Sequence, residues 1–273
     1  MTRLLNGLEL QGFIEERQAK QVRNLRQEFH IIPKLLIIKS DTSSEVINAY
    51  VRMKQRYADE VLIEVEVATL PQTAMPEAIE RANNDPAVHG IIIQLPLENP
   101  AKTDALCNLI APEKDVDGLG VNAAFPSATA EAIDWLLAGY NVELRGKRIA
   151  LLGHGKLVGA PLAKLWTDRG LSVTVLDEQS ENISETLLES DLIVTATGKP
   201  RILTSDNIPI DAVVVDAGTA SEGGVIVGDV DPAVRDERSD LTITPEKGGV
   251  GPLTYTLLFD HVIQAALKLA GKL

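Results

Sequence analysis

Hydrophobic positions along the chain fall into two alternating patterns. Short runs rich in β-branched residues, typical of buried strands, are separated by longer stretches with helical spacing. The predicted strands are Leu35–Ile38, Val61–Val67, Gly90–Leu95, Arg148–Leu152, Ser172–Leu176, Leu192–Thr195 and Val213–Asp216. Strands that alternate with helices form parallel sheets, so the pattern predicts an α/β fold.

A break in this alternation predicts two domains. The first three strands end near Asp117, and only one helical stretch, about Thr129–Ala138, precedes a new strand–helix series. We therefore predict a first domain over residues 1–121 and a second over residues 122–253. The apolar stretch from Thr254 to Leu269 predicts a long final helix, and we expect residues 254–273 to pack with the first domain.

Composition narrows the classes of function. The 273 residues include 39 acidic and 26 basic side chains, a net charge of −13, which argues against nucleic acid or an anionic membrane surface as a partner. Apolar runs such as Ile91–Ile93 are far shorter than the ~20 residues of a membrane-spanning helix. The polar N-terminus and the single cysteine, Cys107, favour a reducing, cytoplasmic setting.

A lysine lies on the buried face of one predicted helix. Thr42 and Glu45 have the spacing of a capping box, which predicts a helix that runs to about Ala58. Helical spacing then gives a buried face that comprises Ile47, Tyr50, Val51, Lys54 and Ala58. Lys54 either extends from the edge of this face to solvent or is partly desolvated, with a pKa low enough for acid–base chemistry. In the second case Tyr50 would offer a flat wall for a ring-shaped substrate.

Two further segments carry polar groups suited to such a lysine. The run Gly90–Leu97 places Gln94 at the carboxyl end of a predicted parallel strand, where α/β sheets bind ligands. The segment Lys114–Gly118 contains Asp115 and Asp117, which an ordinary Asx turn explains as well as a ligand contact does. The segment lacks the other ligands of a calcium loop and the four histidines lack metal-ligand spacing, so we expect no metal site.

A glycine-rich turn marks a candidate dinucleotide site. It follows the strand at Arg148–Leu152 and contains Gly153, His154, Gly155, Val158 and Gly159. Such a turn lets backbone approach a pyrophosphate at a helix N-terminus. The next strand ends at Asp177 and Glu178, where a carboxylate accepts hydrogen bonds from a ribose diol, although a tight turn with a solvated acidic loop is the alternative. Thr197 and Thr219 follow later strands among small residues that leave room for a cofactor.

Together these segments resemble the bifunctional methylenetetrahydrofolate dehydrogenase/methenyltetrahydrofolate cyclohydrolase family over nearly the whole chain. The motifs that carry the resemblance are Tyr50-x-x-x-Lys54, Gly90–Leu97, Lys114–Gly118, Val158–Pro161, Gly228–Val230 and Lys247–Thr254. The resemblance implies an N-terminal α/β catalytic domain and a Rossmann-like, doubly wound dinucleotide-binding domain. It also implies a C-terminal helix that returns to the first domain, a folate cleft between the domains, and a homodimer.

The resemblance further implies a role for each site residue. Lys54 would be the catalytic acid and base, and Gln94 would hydrogen-bond to it and tune it. Asp117 would anchor the pterin, and Tyr50 would pack on the folate ring. Further folate contacts are implied at Leu95, Pro96, Gly249 and Pro252.

The implied function is oxidation of 5,10-methylenetetrahydrofolate to the methenyl form with a nicotinamide dinucleotide, followed by hydrolysis to 10-formyltetrahydrofolate. A dehydrogenase without the hydrolytic step is one alternative, and a dinucleotide- or folate-binding scaffold without catalysis is another. The scaffold alternative is favoured only by two segments that differ from the usual family sequence, Gly153–Gly155 and Pro126–Thr129. Lys54, Gln94 and Asp117 are retained, which argues against both alternatives.

The cofactor preference is expected to depart from the NADP common in the family. His154 stands where the family usually has arginine, and Asp177 with Glu178 stands where it usually has a His-Ser pair. These changes remove partners for a ribose 2′-phosphate, and the carboxylates would repel it. We therefore expect NAD to be preferred, with NADP as the alternative if Lys156 or Arg201 supplies a positive charge.

Overall fold

The computed structural model describes residues 2–223 and 225–272. Within them the strands are β1 (Arg3–Leu4), β2 (Lys34–Ser40), β3 (Glu64–Leu70), β4 (Gly90–Ile93), β5 (Ile149–Leu152), β6 (Val173–Leu176), β7 (Leu192–Thr195), β8 (Val213–Asp216), β9 (Ala220–Glu222), β10 (Val225–Val227) and β11 (Thr242–Ile243). The α-helices are α1 (Gly7–Glu28), α2 (Glu45–Glu60), α3 (Met75–Asn84), α4 (Thr103–Cys107), α5 (Ala128–Gly139), α6 (Gly159–Asp168), α7 (Ile183–Leu188), α8 (Ala233–Glu237) and α9 (Val250–Leu269).

The chain divides into two compact units. The first, here called the large-sheet unit, comprises Met1–Gln11 with Thr129–Thr254. The second, here called the small-sheet unit, comprises Gly12–Ala128 with Tyr255–Leu273. Both units contain parallel strands linked by helices, which is the α/β fold that the hydrophobic pattern predicts.

The small-sheet unit is built on three parallel strands of the described residues, in the order β3-β2-β4. The side chains of β2 alternate between two apolar clusters, as the period of a strand requires. Ile37 packs in the cluster that includes Phe259 of α9, whereas Ile38 packs in the cluster that includes Ile79 of α3. Because both faces are covered, β2 and β4 have continuous apolar runs.

The large-sheet unit has a parallel sheet in the order β1-β11-β8-β7-β5-β6, counted over the described residues. The chain leaves β5 toward β6 on one side and then crosses back to β7 on the other. This reversal opens a crevice at the carboxyl ends of β5 and β7, where doubly wound sheets bind nucleotides. A separate antiparallel hairpin is formed by β9 and β10.

Each predicted strand is confirmed, β7 and β8 with the predicted bounds and the others with a difference at one or both ends. The strand predicted over Val61–Val67 occupies Glu64–Leu70, because Val61 still caps α2 and the amide of Ile63 bonds back to the carbonyl of Ala58. The strand predicted to extend to Leu95 ends at Ile93.

The predicted capping box of α2 is wrong. The helix begins at Glu45, and the N-cap is Ser44, whose side-chain oxygen accepts a hydrogen bond from the amide of Ile47 at 3.3 Å. Thr42 instead shares a hydrogen bond with the hydroxyl of Ser40 at 2.8 Å. A local turn therefore occupies Thr42, and a nearby hydroxyl takes over the cap.

The units differ from the predicted domains mainly at the N-terminus. Arg3–Leu4 pairs in parallel with Thr242–Ile243, which places the start of the chain with the large sheet. Strands of two residues are too short to be recognised from apolar periodicity. The final helix also begins one turn before the predicted Thr254, at Val250.

Candidate active site

Helix α2 positions Lys54 at the edge of its apolar face. The buried residues of this helix are Ile47, Val51, Tyr57 and Ala58, whereas Tyr50 and Lys54 are half-buried. Tyr57, which the sequence analysis did not single out, donates a hydrogen bond from its hydroxyl to Gln18 of α1 at 2.7 Å. This buried contact fixes the helix one turn after Lys54.

The end of β4 brings Gln94 to the lysine. The backbone amide of Gln94 donates to the carbonyl of Ile38 at 2.8 Å, which extends the sheet register by one residue. Lys54 Nζ donates to Gln94 Oε1 at 2.9 Å, and Gln94 Nε2 donates to the carbonyl of Leu95 at 3.2 Å. The second bond orients the amide so that its oxygen faces the lysine.

The two carboxylates of the Lys114–Gly118 segment have different surroundings. Asp115 is only 1% exposed and accepts backbone hydrogen bonds from Gly118 at 3.0 Å and Gly120 at 2.7 Å. It therefore forms the Asx-type turn that one interpretation of the sequence expected. Asp117 is half-buried, and its carboxylate interacts electrostatically with Lys54. One carboxylate thus shapes the loop, and the other belongs to the lysine site.

Burial shifts the pKa values of this pair toward each other. Burial lowers the pKa of Lys54, and the neighbouring Asp117 opposes that shift. Burial also raises the pKa of Asp117 to about 6, with Lys54 and His261 lowering it and Asp115 raising it. A lysine with a lowered pKa beside a carboxyl group with a raised pKa is suited to proton transfer near neutral pH.

The remaining predicted folate contacts lie in two places. Leu95 is half-buried and Pro96 is exposed, and both follow Gln94 directly at the end of β4. Gly249 and Pro252 belong to the large-sheet unit, where Gly249 is buried just before α9 and Pro252 lies in its first turn. A substrate role for these four residues stays a prediction.

The glycine-rich turn after β5 depends on close backbone approach. Gly153 has a φ of +102°, and a Cβ there would lie 2.6 Å from the carbonyl oxygen of Ala196. A Cβ on Gly159 would lie 2.0 Å from the carbonyl oxygen of Gly153. The amide of Gly153 also donates to the carbonyl of Leu176 at 2.7 Å. Glycines thus let β5, the turn and α6 pack against each other.

The same turn has one open side. A Cβ on Gly155 would meet no atom of the described residues within 4 Å. Helix α6 starts after Val158, which forms no side-chain cap. In its first turn the amide of Ala160 donates to the carbonyl of Gly155 at 3.0 Å, and Pro161 has no N–H, so a ligand would meet the backbone of the turn at Gly155 and at the helix start at Gly159. A turn of this shape at a helix N-terminus fits the pyrophosphate of a dinucleotide.

Two residues that the sequence analysis related to ribose recognition, His154 and Asp177, interact with each other. His154 is exposed and interacts electrostatically with Asp177 at the end of β6. The amide of Gln179 donates to Asp177 at 2.9 Å, and this bond is the largest cause of the lowered pKa of Asp177, with Ser180 and then His154 contributing further. Asp177 is therefore held as a carboxylate beside the glycine-rich turn.

Two cations near the end of β6 and the loop after β7 form ion pairs with glutamates. Glu178 forms an ion pair with Lys199 at 2.5 Å, a residue that the sequence analysis did not consider. Arg201, one of the residues considered as a phosphate partner, pairs with Glu222 at 2.8 Å. Lys199 directly follows Gly198 in the loop after β7. This position after a predicted strand was the feature of the sequence that could have identified it as a cation near the cofactor site.

A buried carboxylate in the Gly228–Val230 motif, to which the sequence analysis gave no role, holds the loop after β7. Asp229 is 0% exposed, and its Oδ2 accepts from the amide of Thr197 at 2.7 Å and from the hydroxyls of Thr197 at 2.9 Å and Thr195 at 2.6 Å. Gly218 permits this arrangement, because a Cβ there would lie 2.1 Å from the Asp229 carboxylate. Thr219 is exposed on the neighbouring loop.

The described residues contain neither a group of metal ligands nor a membrane-spanning helix. In residues 2–223 and 225–272, the His, Cys, Asp and Glu side chains form no group that would hold a metal ion. Over the same residues, no helix combines the length and apolar character needed to cross a membrane.

Comparison with known proteins covers both units. Residues 5–117 match the family model of the tetrahydrofolate dehydrogenase/cyclohydrolase catalytic domain, and residues 127–270 match that of its NAD(P)-binding domain. A relative from Lactobacillus acidophilus, "Bifunctional protein FolD", is 33% identical over 100% of both chains.

Solved structures agree with these matches. The FolD methylenetetrahydrofolate dehydrogenase/cyclohydrolase of Campylobacter jejuni has a TM-score of 0.91 and 30% identity, over 98% of this chain and 100% of that one. The Trypanosoma brucei FolD complexed with NADP and an inhibitor has a TM-score of 0.90 and 29% identity, over 100% of this chain and 99% of that one. The chain belongs to the tetrahydrofolate dehydrogenase/cyclohydrolase family.

Proposed function

We propose that this chain oxidises 5,10-methylenetetrahydrofolate to 5,10-methenyltetrahydrofolate with a nicotinamide dinucleotide and then hydrolyses the product to 10-formyltetrahydrofolate. The observation that carries the proposal is the hydrogen bond of 2.9 Å from Lys54 to Gln94, with Asp117 beside the same lysine. Neither a simple dehydrogenase nor a binding protein needs a lysine of lowered pKa in this place.

The hydrolytic step requires proton transfer that Lys54 can perform. Water adds to the cationic methenyl carbon and loses a proton, and the bond from that carbon to one folate nitrogen then breaks as the nitrogen gains a proton. A lysine whose pKa is lowered by burial accepts the first proton and supplies the second near neutral pH. Gln94 holds Nζ in place through its amide oxygen, which accepts a hydrogen bond from either form of the lysine.

Asp117 and Tyr50 are proposed to hold the folate ring. A carboxylate accepts hydrogen bonds from the donor edge of a pterin, and charge-assisted bonds of this kind are stronger than neutral ones. Tyr50 lies one turn before Lys54 on α2 and is half-buried, so part of its ring remains accessible for stacking. Leu95 and Pro96 follow Gln94 and would extend the same surface.

The large-sheet unit is proposed to hold the dinucleotide. The glycine-rich turn with the start of α6 would hold the pyrophosphate, and the loops that carry Thr197 and Thr219 would flank the rest of the cofactor. When bound, the nicotinamide accepts the hydride from the methylene carbon of the folate.

The proposed cofactor is NAD. Asp177 is kept ionised by hydrogen bonds from its own turn and lies close to His154, in the position suited to an unphosphorylated ribose diol. A 2′-phosphate would meet the carboxylates of Asp177 and Glu178, and the charge of Lys199 is already paired with Glu178. The Trypanosoma brucei FolD was solved with NADP, so NAD would differ from the cofactor of that structure.

A paired absorbance assay tests the proposed function. Methenyltetrahydrofolate absorbs in the near ultraviolet, so its decay with enzyme alone reports hydrolysis and its formation with dinucleotide reports oxidation. We expect both signals. Formation without catalysed decay would indicate a dehydrogenase alone, and the lack of both signals in folded protein would indicate a binding protein.

A homodimer in the cytoplasm is part of the same proposal. It is supported by the family resemblance, and the single cysteine of the chain, Cys107, is buried, as suits a reducing compartment. Sedimentation velocity over a concentration series measures the oligomeric state. A monomer at all concentrations would contradict the dimer.

A further inference from the structure

His261 of α9 makes a specific contact beside the candidate active site. The residue is 1% exposed, and its Nδ1 lies 2.8 Å from the carbonyl oxygen of Val116. Because a carbonyl oxygen only accepts, Nδ1 carries a hydrogen and donates it. The ring also stacks on Phe125, with a centroid distance of 4.8 Å and an interplanar angle of 21°. The imidazole is therefore fixed in position, with a hydrogen on Nδ1.

This contact constrains the backbone at Asp117. Val116 directly precedes Asp117, and its amide donates to the carbonyl of Lys114 at 2.9 Å. On the other side, the carbonyl of Asp117 accepts from the amide of Ala128 at 3.2 Å. The peptide planes that flank Asp117 are thus both held, and the orientation of these planes sets the direction of its side chain.

We propose that His261 is a positioning residue, which orients the Asp117 carboxylate for folate binding through its hydrogen bond to Val116. This inference rests on the proposed role of Asp117 as the pterin anchor. The mechanism given above does not use His261. If packing were the only requirement at this buried position, an apolar residue would serve equally well. The hydrogen bond to Val116 gives the histidine a function beyond packing.

Two substitutions separate the hydrogen bond from the shape of the ring. In His261→Asn the Nδ2 group takes nearly the place of Nδ1 and keeps a donor for Val116. In His261→Phe the ring and its stacking on Phe125 are kept, but the donor is lost. We expect His261→Phe to raise the KM for methenyltetrahydrofolate about tenfold, the effect of losing one buried hydrogen bond, with kcat changed less than about threefold. His261→Asn is expected to restore KM to within about threefold of wild type.

The pH dependence gives a second readout that packing alone would not move. The groups that face Asp117 are Lys54 from α2, Asp115 from the same loop and His261 from α9. His261 lowers the pKa of Asp117, so both variants should move the midpoint of the KM–pH profile to higher pH. Only His261→Phe should also weaken binding at pH values above that midpoint.

The test is steady-state hydrolysis of methenyltetrahydrofolate between pH 5 and 8 by both variants, with and without Asp117→Asn. If His261 acts through Asp117, His261→Phe adds little to the KM of the Asp117→Asn enzyme. Wild-type KM and an unchanged midpoint in His261→Phe would overturn the inference, as would equal losses in His261→Phe and His261→Asn. A wild-type KM in the Asp117→Asn enzyme would instead overturn the proposed role of Asp117. Failure of that role can therefore be distinguished from failure of the inference about His261.

Discussion

At the scale of single residues, Lys54 and Asp117 obtain their chemistry from burial that acts in opposite directions on an acid and a base. Removing water disfavours the charged form of each group, which lowers the pKa of Lys54 and raises that of Asp117 to about 6. Their mutual attraction limits both shifts.

With Asp117 in its proposed anchor role, folate binding should weaken in mild acid, because protonation removes the charge that strengthens its hydrogen bonds to the pterin. As pH falls through about 6, the carboxyl group of the free enzyme gains a proton. We expect the KM for methenyltetrahydrofolate to rise by up to about tenfold per pH unit below that point. The measurement is initial-rate hydrolysis between pH 4.5 and 8 at saturating and limiting substrate.

Asp117→Asn provides the matched comparison for this profile. The amide cannot titrate, so the variant should bind folate roughly 10–150-fold more weakly at pH 7.5 but with a KM that is flat across the acid range. Glu113→Gln, which changes an exposed carboxylate of the same segment, serves as the control and should behave as wild type. A flat wild-type profile, or unchanged affinity in Asp117→Asn, would contradict the anchor role.

The lysine site could be predicted from the sequence more completely than the loop beside it. Helical spacing placed Lys54 toward the apolar face, and the end of a buried run placed Gln94 at a strand terminus, and the two are in hydrogen-bond contact. The sequence pattern could not show which of Asp115 and Asp117 forms the Asx turn, because such a turn depends on the backbone angles of the following residues. His261 was considered only as one of the four histidines that lack metal-ligand spacing, since its partner Val116 is distant in the chain.

At the scale of secondary-structure elements, the loops after β5, β7 and β8 form the carboxyl edge of the large sheet. Glycines let the first loop pack closely, and the buried Asp229 fixes the second through Thr197. Central strands such as β7 and β8 were predicted with their observed bounds because they are continuous apolar runs. The cap at Ser44 and the short strand β1 were missed, because a cap depends on local turn geometry and two residues show no period.

Asp229→Ala should impair dinucleotide binding without affecting hydrolysis. Loss of the carboxylate leaves the amide and hydroxyl of Thr197 without their acceptor, so the loop loses its fixed conformation. We expect the KM for the dinucleotide to rise by about tenfold or more. Cyclohydrolase activity, measured without dinucleotide, should stay within about twofold of wild type, because the Lys54 site lies in the other unit.

Thr195→Val is the control for the Asp229 substitution. It removes one hydrogen bond to the same Oδ2 but leaves both contacts to Thr197. Its dinucleotide KM should therefore change much less than that of Asp229→Ala. Similar increases in both variants, with matching losses in thermal stability, would indicate that Asp229 stabilises the unit without positioning the loop.

At the scale of the whole molecule, the Lys54 site lies in the small-sheet unit and the glycine-rich turn lies in the large-sheet unit, which also contains the predicted folate contacts Gly249 and Pro252. The α/β class followed from the alternation of strands and helices. The assignment of residues 2–11 to the large-sheet unit did not, because pairing of β1 with β11 joins segments at opposite ends of the chain. Pairings across such distances leave no trace in local periodicity.

The cofactor preference is expected to favour NAD in kcat/KM with methylenetetrahydrofolate. The double substitution Asp177→Ser with Glu178→Ser removes two negative charges and should shift the NAD/NADP ratio toward NADP. Glu181→Ser with Glu185→Ser removes the same charge from exposed positions farther along the chain and should leave the ratio unchanged. A clear NADP preference in the wild type that the Asp177 and Glu178 substitutions do not alter would show that these carboxylates do not contact the ribose.

The hydrolytic rate of Lys54→Met tests the central claim most directly. Methionine keeps the length and apolar packing of the side chain and removes the ammonium group, so the thermal unfolding midpoint should be close to wild type. We expect decay of methenyltetrahydrofolate to slow by at least ~100-fold, the lower end of general acid–base catalysis. Arg56→Met, an exposed cation on the same helix, should keep the wild-type rate. Near-normal hydrolysis by folded Lys54→Met would contradict the account.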